Sequence, residues 1–182
     1  MKELLKVENL KVDFAAYNGT VHAVRDISFT VYQGETLAMV GESGCGKSTA
    51  AKAVLRLLDR SSAVISGESL AEYNGKNLLT LPRRELNLIR GSEITMIFQD
   101  AMASLNPTMT VGAQMLEAIR AHKGPDRAGS VAKAKELLNL VELSDTDELL
   151  KRYPHELSGG QRQRVMIAMA LSCDPRLLIA DE

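Results

Sequence analysis

Gly41-Glu42-Ser43-Gly44-Cys45-Gly46-Lys47-Ser48 decides the fold. It lies between the apolar run Thr36-Leu37-Ala38-Met39-Val40 and a segment, 47–58, with Ala, Val and Leu at helical spacing. The pattern is G-x-x-x-x-G-K-[ST], and a strand before it with a helix after it is the context in which such a loop cradles phosphate. Glycines at Gly41, Gly44 and Gly46 let successive backbone N–H groups turn inward around phosphate oxygens. Ser43 and Cys45 contribute their own N–H groups, and the helix that begins there adds its positive end. Lys47 is suited to neutralise β- and γ-phosphate charge, Ser48 to ligate Mg²⁺, and Thr49 to add a contact near the α-phosphate. Cys45 reads as a small residue whose backbone does the work, although a helix start also favours a reactive thiol.

Outward from this loop the chain alternates between strands and helices. Upstream, Leu5, Val7, Leu10, Val12 and Phe14 alternate with polar residues, and a slip of one near Asn9 predicts a bulge. Tyr17-Asn18-Gly19-Thr20 is a turn signal, and 24–31 a second alternating strand closed by Gln33-Gly34. The run 36–40 does not alternate, which predicts a strand buried on both faces. Downstream, 67–91 is polar and turn-rich, with Asn74-Gly75 a hairpin turn. Strands are expected over 94–98 and 176–180, both of the buried type. Helices are expected over 110–122, 131–141 and 158–173, the first two joined by Lys123-Gly124-Pro125-Asp126.

The bulk properties fit this picture. The chain has 182 residues, 45% hydrophobic and 25% charged, the values of a globular protein that buries a core. A formal net charge of −1 leaves no broad basic surface for nucleic acid or anionic lipid. Apolar stretches such as 165–171 are far shorter than the ~20 residues of a membrane span. No signal peptide is visible, and two cysteines so far apart suggest no metal site, so the composition reads as cytosolic.

A second anion site follows from Leu157-Ser158-Gly159-Gly160-Gln161. Ser158 is a good N-cap, and the glycines expose N–H groups at a helix start. Two phosphate cradles on separate lobes are hard to satisfy with one nucleotide. A head-to-tail dimer resolves this, the second cradle (Ser158, Gly159, Gly160, Gln161) covering the γ-phosphate held by the partner. At the other end of that helix, Leu177-Leu178-Ile179-Ala180 leads into Asp181 and Glu182. A carboxylate at the C-terminal end of a parallel strand sits at the crevice where α/β sheets bind ligands.

In this order and spacing, the phosphate loop, Leu157 to Gln161 and Leu177 to Glu182 resemble an ABC-transporter ATPase subunit. Two longer stretches narrow the branch. Phe98-Gln99-Asp100-Ala101-Met102-Ala103-Ser104-Leu105-Asn106-Pro107 and the run from Arg152 to Leu171 are similar to the importers of oligopeptides, dipeptides and nickel. Ala101 departs from that pattern, which commonly has Pro. His155, beside the second cradle, reads as structural.

The resemblance implies an α/β fold: a P-loop NTPase core with an N-terminal antiparallel β region and an inserted helical subdomain. It places the core at 1–98 and 162–182 and the helical subdomain, with the signature motif, at 99–161. It implies ATP and Mg²⁺ as cofactors, with Asp181, Ser48 and Gln99 toward the metal. Glu182 would polarise the attacking water, with Gln99 and Lys47 completing the catalytic set. Phe14 resembles the aromatic that stacks on adenine, with Tyr17 as its rival. The expected partners are a second ATPase subunit and integral membrane permeases that contact the Gln99 loop and the helical lobe, at the cytoplasmic face of the membrane. Nucleic acid is not among them.

The family pattern continues past an acidic pair like Asp181-Glu182, with an interface Asp and a histidine that senses γ-phosphate. His22, His122 and His155 all lie upstream. The expectation is therefore a chain lacking the C-terminal part of the core, which binds ATP but hydrolyses it poorly. A non-hydrolytic binding fragment, or a soluble ABC protein outside transport, are the alternatives. The latter would call for a basic patch, zinc cysteines or a long coiled coil between the two cradles, and none is seen.

Overall fold

The computed structural model describes residues 2–17, 19–99, 104–123 and 127–181. The expected features at Asn18, at 100–103 (with Ala101), at 124–126 and at Glu182 lie outside the described residues. The chain divides into two compact units, Met1–Leu86 and Asn87–Glu182.

The first unit is built on a long antiparallel pair, β1 (Glu3–Ala16) and β2 (Gly19–Tyr32). β3 (Ala63–Ile65) and β4 (Leu70–Tyr73) both pair with β1, and β5 (Lys76–Asn77) pairs with β4. The expected slip falls at Asn9, with φ 49°, where the register shifts between Val7↔Phe29 and Leu10↔Ile27. Ser69 secures it, donating to the Asn9 carbonyl at 2.9 Å and accepting from the Lys11 N–H at 3.1 Å. The extra residue lets Leu5 and Val7 before it, and Leu10 and Val12 after it, all reach the core. At the hairpin between β4 and β5, Asn74 and Gly75 both have positive φ, as the two-residue turn requires.

Helix α1 (Lys47–Val54) begins at the glycine-rich loop and buries Ala50, Ala53 and Val54. It is shorter than the expected 47–58. Arg56 adopts a left-handed φ of 51°, and the N–H groups of Arg56 and Leu57 bond back to the carbonyls of Ala53 and Lys52. That pair of bonds is a Schellman stop, with Arg in the place glycine usually takes.

One expectation fails in this unit. Residues 36–40 form no strand and are exposed, Val40 to 90% and Leu37 to 44%. An apolar run becomes a strand only where a neighbour accepts its backbone ladder, and among the described strands none pairs with it. A helix the sequence reading missed, α2 (Arg83–Ile89), lies in the stretch taken as turn-rich.

The second unit joins a parallel pair, β6 (Ile94–Ile97) and β7 (Leu177–Ala180), to helices α3 (Val111–Lys123), α4 (Arg127–Leu140), α5 (Thr146–Leu149) and α6 (Gly159–Ala170). A short 3-10 turn, Pro154–Glu156, precedes α6. Val111, Met115 and Ile119 of α3 pack with Ala134, Leu137 and Leu138 of α4 and Val165 and Ala168 of α6. β7 is the expected strand, but Leu178 and Ala180 are exposed and Leu177 and Ile179 only partly covered. With β6 as its one described ladder partner, it is not buried on both faces. Among the described residues, no helix is long and apolar enough to cross a membrane.

Candidate functional site

The phosphate loop closes on itself through its lysine. Lys47 Nζ donates to the carbonyls of Gly41 at 2.7 Å and Glu42 at 2.8 Å, and lies 3.8 Å from Cys45 Sγ. These bonds hold the ammonium within the turn that Ser43 and Gly44 complete. Gly46 is the N-cap of α1 and carries φ 100°; a Cβ there would stand 2.4 Å from the Ala23 carbonyl oxygen. Only glycine meets that approach and that dihedral together.

No side chain caps the N-terminus of α1, and no acidic residue lies in its first turn. Lys47, Ser48 and Thr49 occupy that turn, so the local field favours an anion. Cys45 is exposed and Cys173 buried. The aromatic candidates differ in setting: Phe14 is a part-buried β1 residue opposite Val21 and Ala63, and Tyr17 stands fully in solvent.

The second cradle is an N-cap with reciprocal bonds. Ser158 Oγ accepts from the Gln161 N–H at 3.2 Å, and Gln161 Oε1 accepts from the Ser158 N–H at 3.0 Å. This capping box fixes the turn and leaves Gly159 and Gly160 exposed, with nothing within 4 Å of where a Cβ would stand. The helix behind it is anchored, since Val165 and Ala168 are fully buried. Arg162 Nε donates to the Leu157 carbonyl at 3.1 Å, tying the turn to its own helix. His155 stacks on Tyr153 with ring centroids 5.7 Å apart, a packing role.

Asp181 follows β7 and is 8% exposed; its N–H donates to the Ile97 carbonyl at 3.0 Å. Ile97 pairs with Ala180, so Gln99 and Asp181 leave the parallel pair at the same end. Among the described residues, no group of three His, Cys, Asp or Glu is placed to hold a metal. Gln99 and Asp181 offer oxygen donors, the kind that Mg²⁺ takes while phosphate and water fill the rest of its shell.

The sequence reading passed over one residue here. Gln114 lies on the apolar stripe of α3 beside Val111 and Met115 and is 7% exposed. It accepts from the Asn106 N–H at 2.8 Å and donates to the carbonyls of Asn106 at 3.1 Å and Met109 at 3.0 Å. A polar residue on an apolar helix stripe was the signal available for it.

Over 182 residues the chain is 48% identical to the dipeptide transport ATP-binding protein DppD of Bacillus subtilis (strain 168), covering all of this chain and 54% of that protein. Over 179 residues it is 51% identical to the oligopeptide transport ATP-binding protein OppD of Salmonella typhimurium, covering 98% of this chain and 52% of that one. The chain thus spans about half the length of the curated relatives it matches. Among solved structures, the dimeric post-hydrolysis state of the ATP-binding cassette MJ0796 bound to ADP and Pi superposes with a TM-score of 0.84. That match has 26% identity and covers 97% of this chain and 73% of the other. The antiparallel N-terminal sheet and the helical region are those of an ABC ATPase, of which this chain covers a part. Residues 24–182 match the family described as ABC transporter, and with the loop at Gly41–Ser48 and the capped turn at Ser158 in place, the chain belongs to that family.

Proposed function

We propose that the chain is the nucleotide-binding part of an importer ATPase that couples ATP hydrolysis to uptake of peptides or a related small solute through separate membrane permeases. The observation that carries this reading is the phosphate loop: a lysine held by its own loop carbonyls beside a helix N-terminus that lacks both a cap and an acidic residue. The names of the relatives support the peptide branch.

The residue roles are those that the family resemblance implies, and each suits the chemistry of its side chain. Backbone N–H groups from Gly41 to Ser48 orient the triphosphate, Lys47 neutralises its β- and γ-oxygens, and Thr49 contributes a hydroxyl near the α-phosphate. Phe14 offers the base a π-face. Ser48, Gln99 and Asp181 are the oxygen donors for Mg²⁺, which supplies charge neutralisation as phosphoryl transfer proceeds. Glu182 accepts the proton of the attacking water, and Gln99 orients that water. The exposed backbone of Gly159 and Gly160, in a turn that Ser158 and Gln161 hold in shape, covers the γ-phosphate of a second subunit in a head-to-tail dimer, for which the dimeric neighbour is the precedent. Permeases contact the Gln99 loop and the helical region from the cytoplasmic face of the membrane.

The test is Mg²⁺-dependent ATP binding and phosphate release measured together, with Lys47→Ala as the control. Nucleotide binding that Lys47→Ala abolishes is expected. Equal binding by the two proteins would overturn the assignment.

A further inference from the structure

We propose that Val21 is a further nucleotide-contacting residue, set beside Phe14 by a bulge at Ala23 on the face of the β1–β2 hairpin that carries the phosphate loop. The inference rests on the function proposed above and deepens it, since it assigns Phe14 and Val21 together to the base of the bound nucleotide.

Val12 pairs with Val24, Asp13 with His22 and Phe14 with Val21, so Ala23 is one extra residue on β2. Side chains directly opposite one another share a face, and successive residues of a strand alternate between faces. Val12 and Val24 are buried and mark the inner face. Phe14, two residues beyond Val12, lies on it too. An unbroken β2 would turn Val21, three residues from Val24, to the outer face. The bulge shifts the phase by one residue and returns Val21 to the inner face opposite Phe14. Asp13 and His22 take the outer face, where Asp13 Oδ1 accepts from His22 Nδ1 at 2.7 Å. That bond ties the two strands just beyond the bulge and secures the shifted register.

The phosphate loop rests on the same bulge. A Cβ on Gly46 would stand 2.4 Å from the Ala23 carbonyl oxygen and 3.6 Å from Val24 Cγ2, so the N-cap of α1 sits where the phase changes. Phe14 and Val21 follow about 7 Å further along the hairpin, at ~3.4 Å per residue. Ala63 of β3 pairs with Phe14 from its other side. Ala63, Phe14 and Val21 thus form an apolar strip three strands wide beside the loop. Val21 is 55% exposed, apolar surface that the fold itself leaves uncovered. Directly opposed Cβ atoms are about 4.5–5.5 Å apart, so a purine stacked on Phe14 reaches over Val21 as well.

The experiment is equilibrium binding of MgATP and of magnesium triphosphate, the inorganic chain without base or sugar, to wild type and to Val21→Ser. ATP affinity should fall about three- to tenfold, the scale of losing half a valine's burial, with triphosphate affinity within about twofold of wild type. Val21→Ile, which widens the strip, should hold ATP at least as tightly as wild type. Val21 is more than half exposed, so both variants keep the fold, which the urea midpoint checks. Unchanged ATP affinity in Val21→Ser would overturn the inference, as would equal losses for ATP and triphosphate. A loss in Val21→Ile equal to that in Val21→Ser would do the same. Wild type binding triphosphate as tightly as ATP would also overturn it, and would leave the role of the phosphate loop standing. Binding of neither ligand would instead remove the function proposed above, and this inference with it.

Discussion

Gly112 lies directly against Leu150: its N–H donates to the Leu150 carbonyl at 2.8 Å, and a Cβ on Gly112 would stand 2.6 Å from that same oxygen. In an open helix, Gly→Ala adds about 0.5–1 kcal/mol of stability. Here the obstructing atom is backbone and cannot swing aside. Gly112→Ala should destabilise the protein by about 1–3 kcal/mol, read as a lower urea midpoint at unchanged m-value. A stabilising effect would refute the close approach.

Gly46 makes the corresponding prediction for nucleotide. Gly46→Ala combines a left-handed dihedral with a Cβ 2.4 Å from the Ala23 carbonyl oxygen. A left-handed alanine alone costs roughly 1–2 kcal/mol, so ATP affinity should fall at least about tenfold. Equilibrium binding of a fluorescent ATP analogue measures it directly.

Ser158 has two separable duties. As an N-cap it is worth ~1 kcal/mol, which Ser158→Ala should lose and Ser158→Asp should keep. Asp also puts a negative charge beside the exposed N–H groups of Gly159 and Gly160, which an approaching phosphate would meet. Chemical denaturation should rank Asp with wild type, and hydrolysis should rank it with or below Ala. Wild-type turnover in the Asp variant would remove phosphate from the role of this turn.

Cys45 and Cys173 differ in access, the first exposed and the second buried. One equivalent of a maleimide should label Cys45 in the native protein and block ATP binding, because the adduct fills the loop. Prior addition of ATP should slow the labelling, which peptide mass mapping would reveal.

Lys135 holds the Asp147 carboxyl below the usual carboxylate range, through a 2.6 Å hydrogen bond and its charge. A depressed folded pKa stabilises the fold above the unfolded value of ~4 and loses that contribution as pH drops through the folded one. Lys135→Met should move the Asp147 titration upward by NMR. It should also remove part of the acid-limb dependence of stability.

Features carried by short-range chemistry were legible in the sequence. The Asn74-Gly75 turn, the slip at Asn9 and the Ser158 cap each depend on residues a few places apart, and each is where the pattern predicts. Features that depend on distant partners were not. Residues 36–40 read as a buried strand because their composition is that of one, yet pairing is a property of the neighbour. α2 escaped because Leu86 and Ile89 make barely one turn of an apolar stripe. Gln114 bonds to backbone atoms, which leave no trace in residue identity. The two loops of the candidate site were therefore readable, and the contacts of Gln114 were not.

The irregularities of the long hairpin balance one another. β1 carries extra residues at Leu4 and between Val7 and Leu10, and β2 carries them at Asp26, between Ile27 and Arg25, and at Ala23, between Val24 and His22. Both strands remain 14 residues long and meet squarely at each end. Evolutionary length change in this hairpin is therefore coupled: dropping Asn9 together with Asp26 preserves every downstream pairing, whereas dropping either one shifts the whole distal half out of phase.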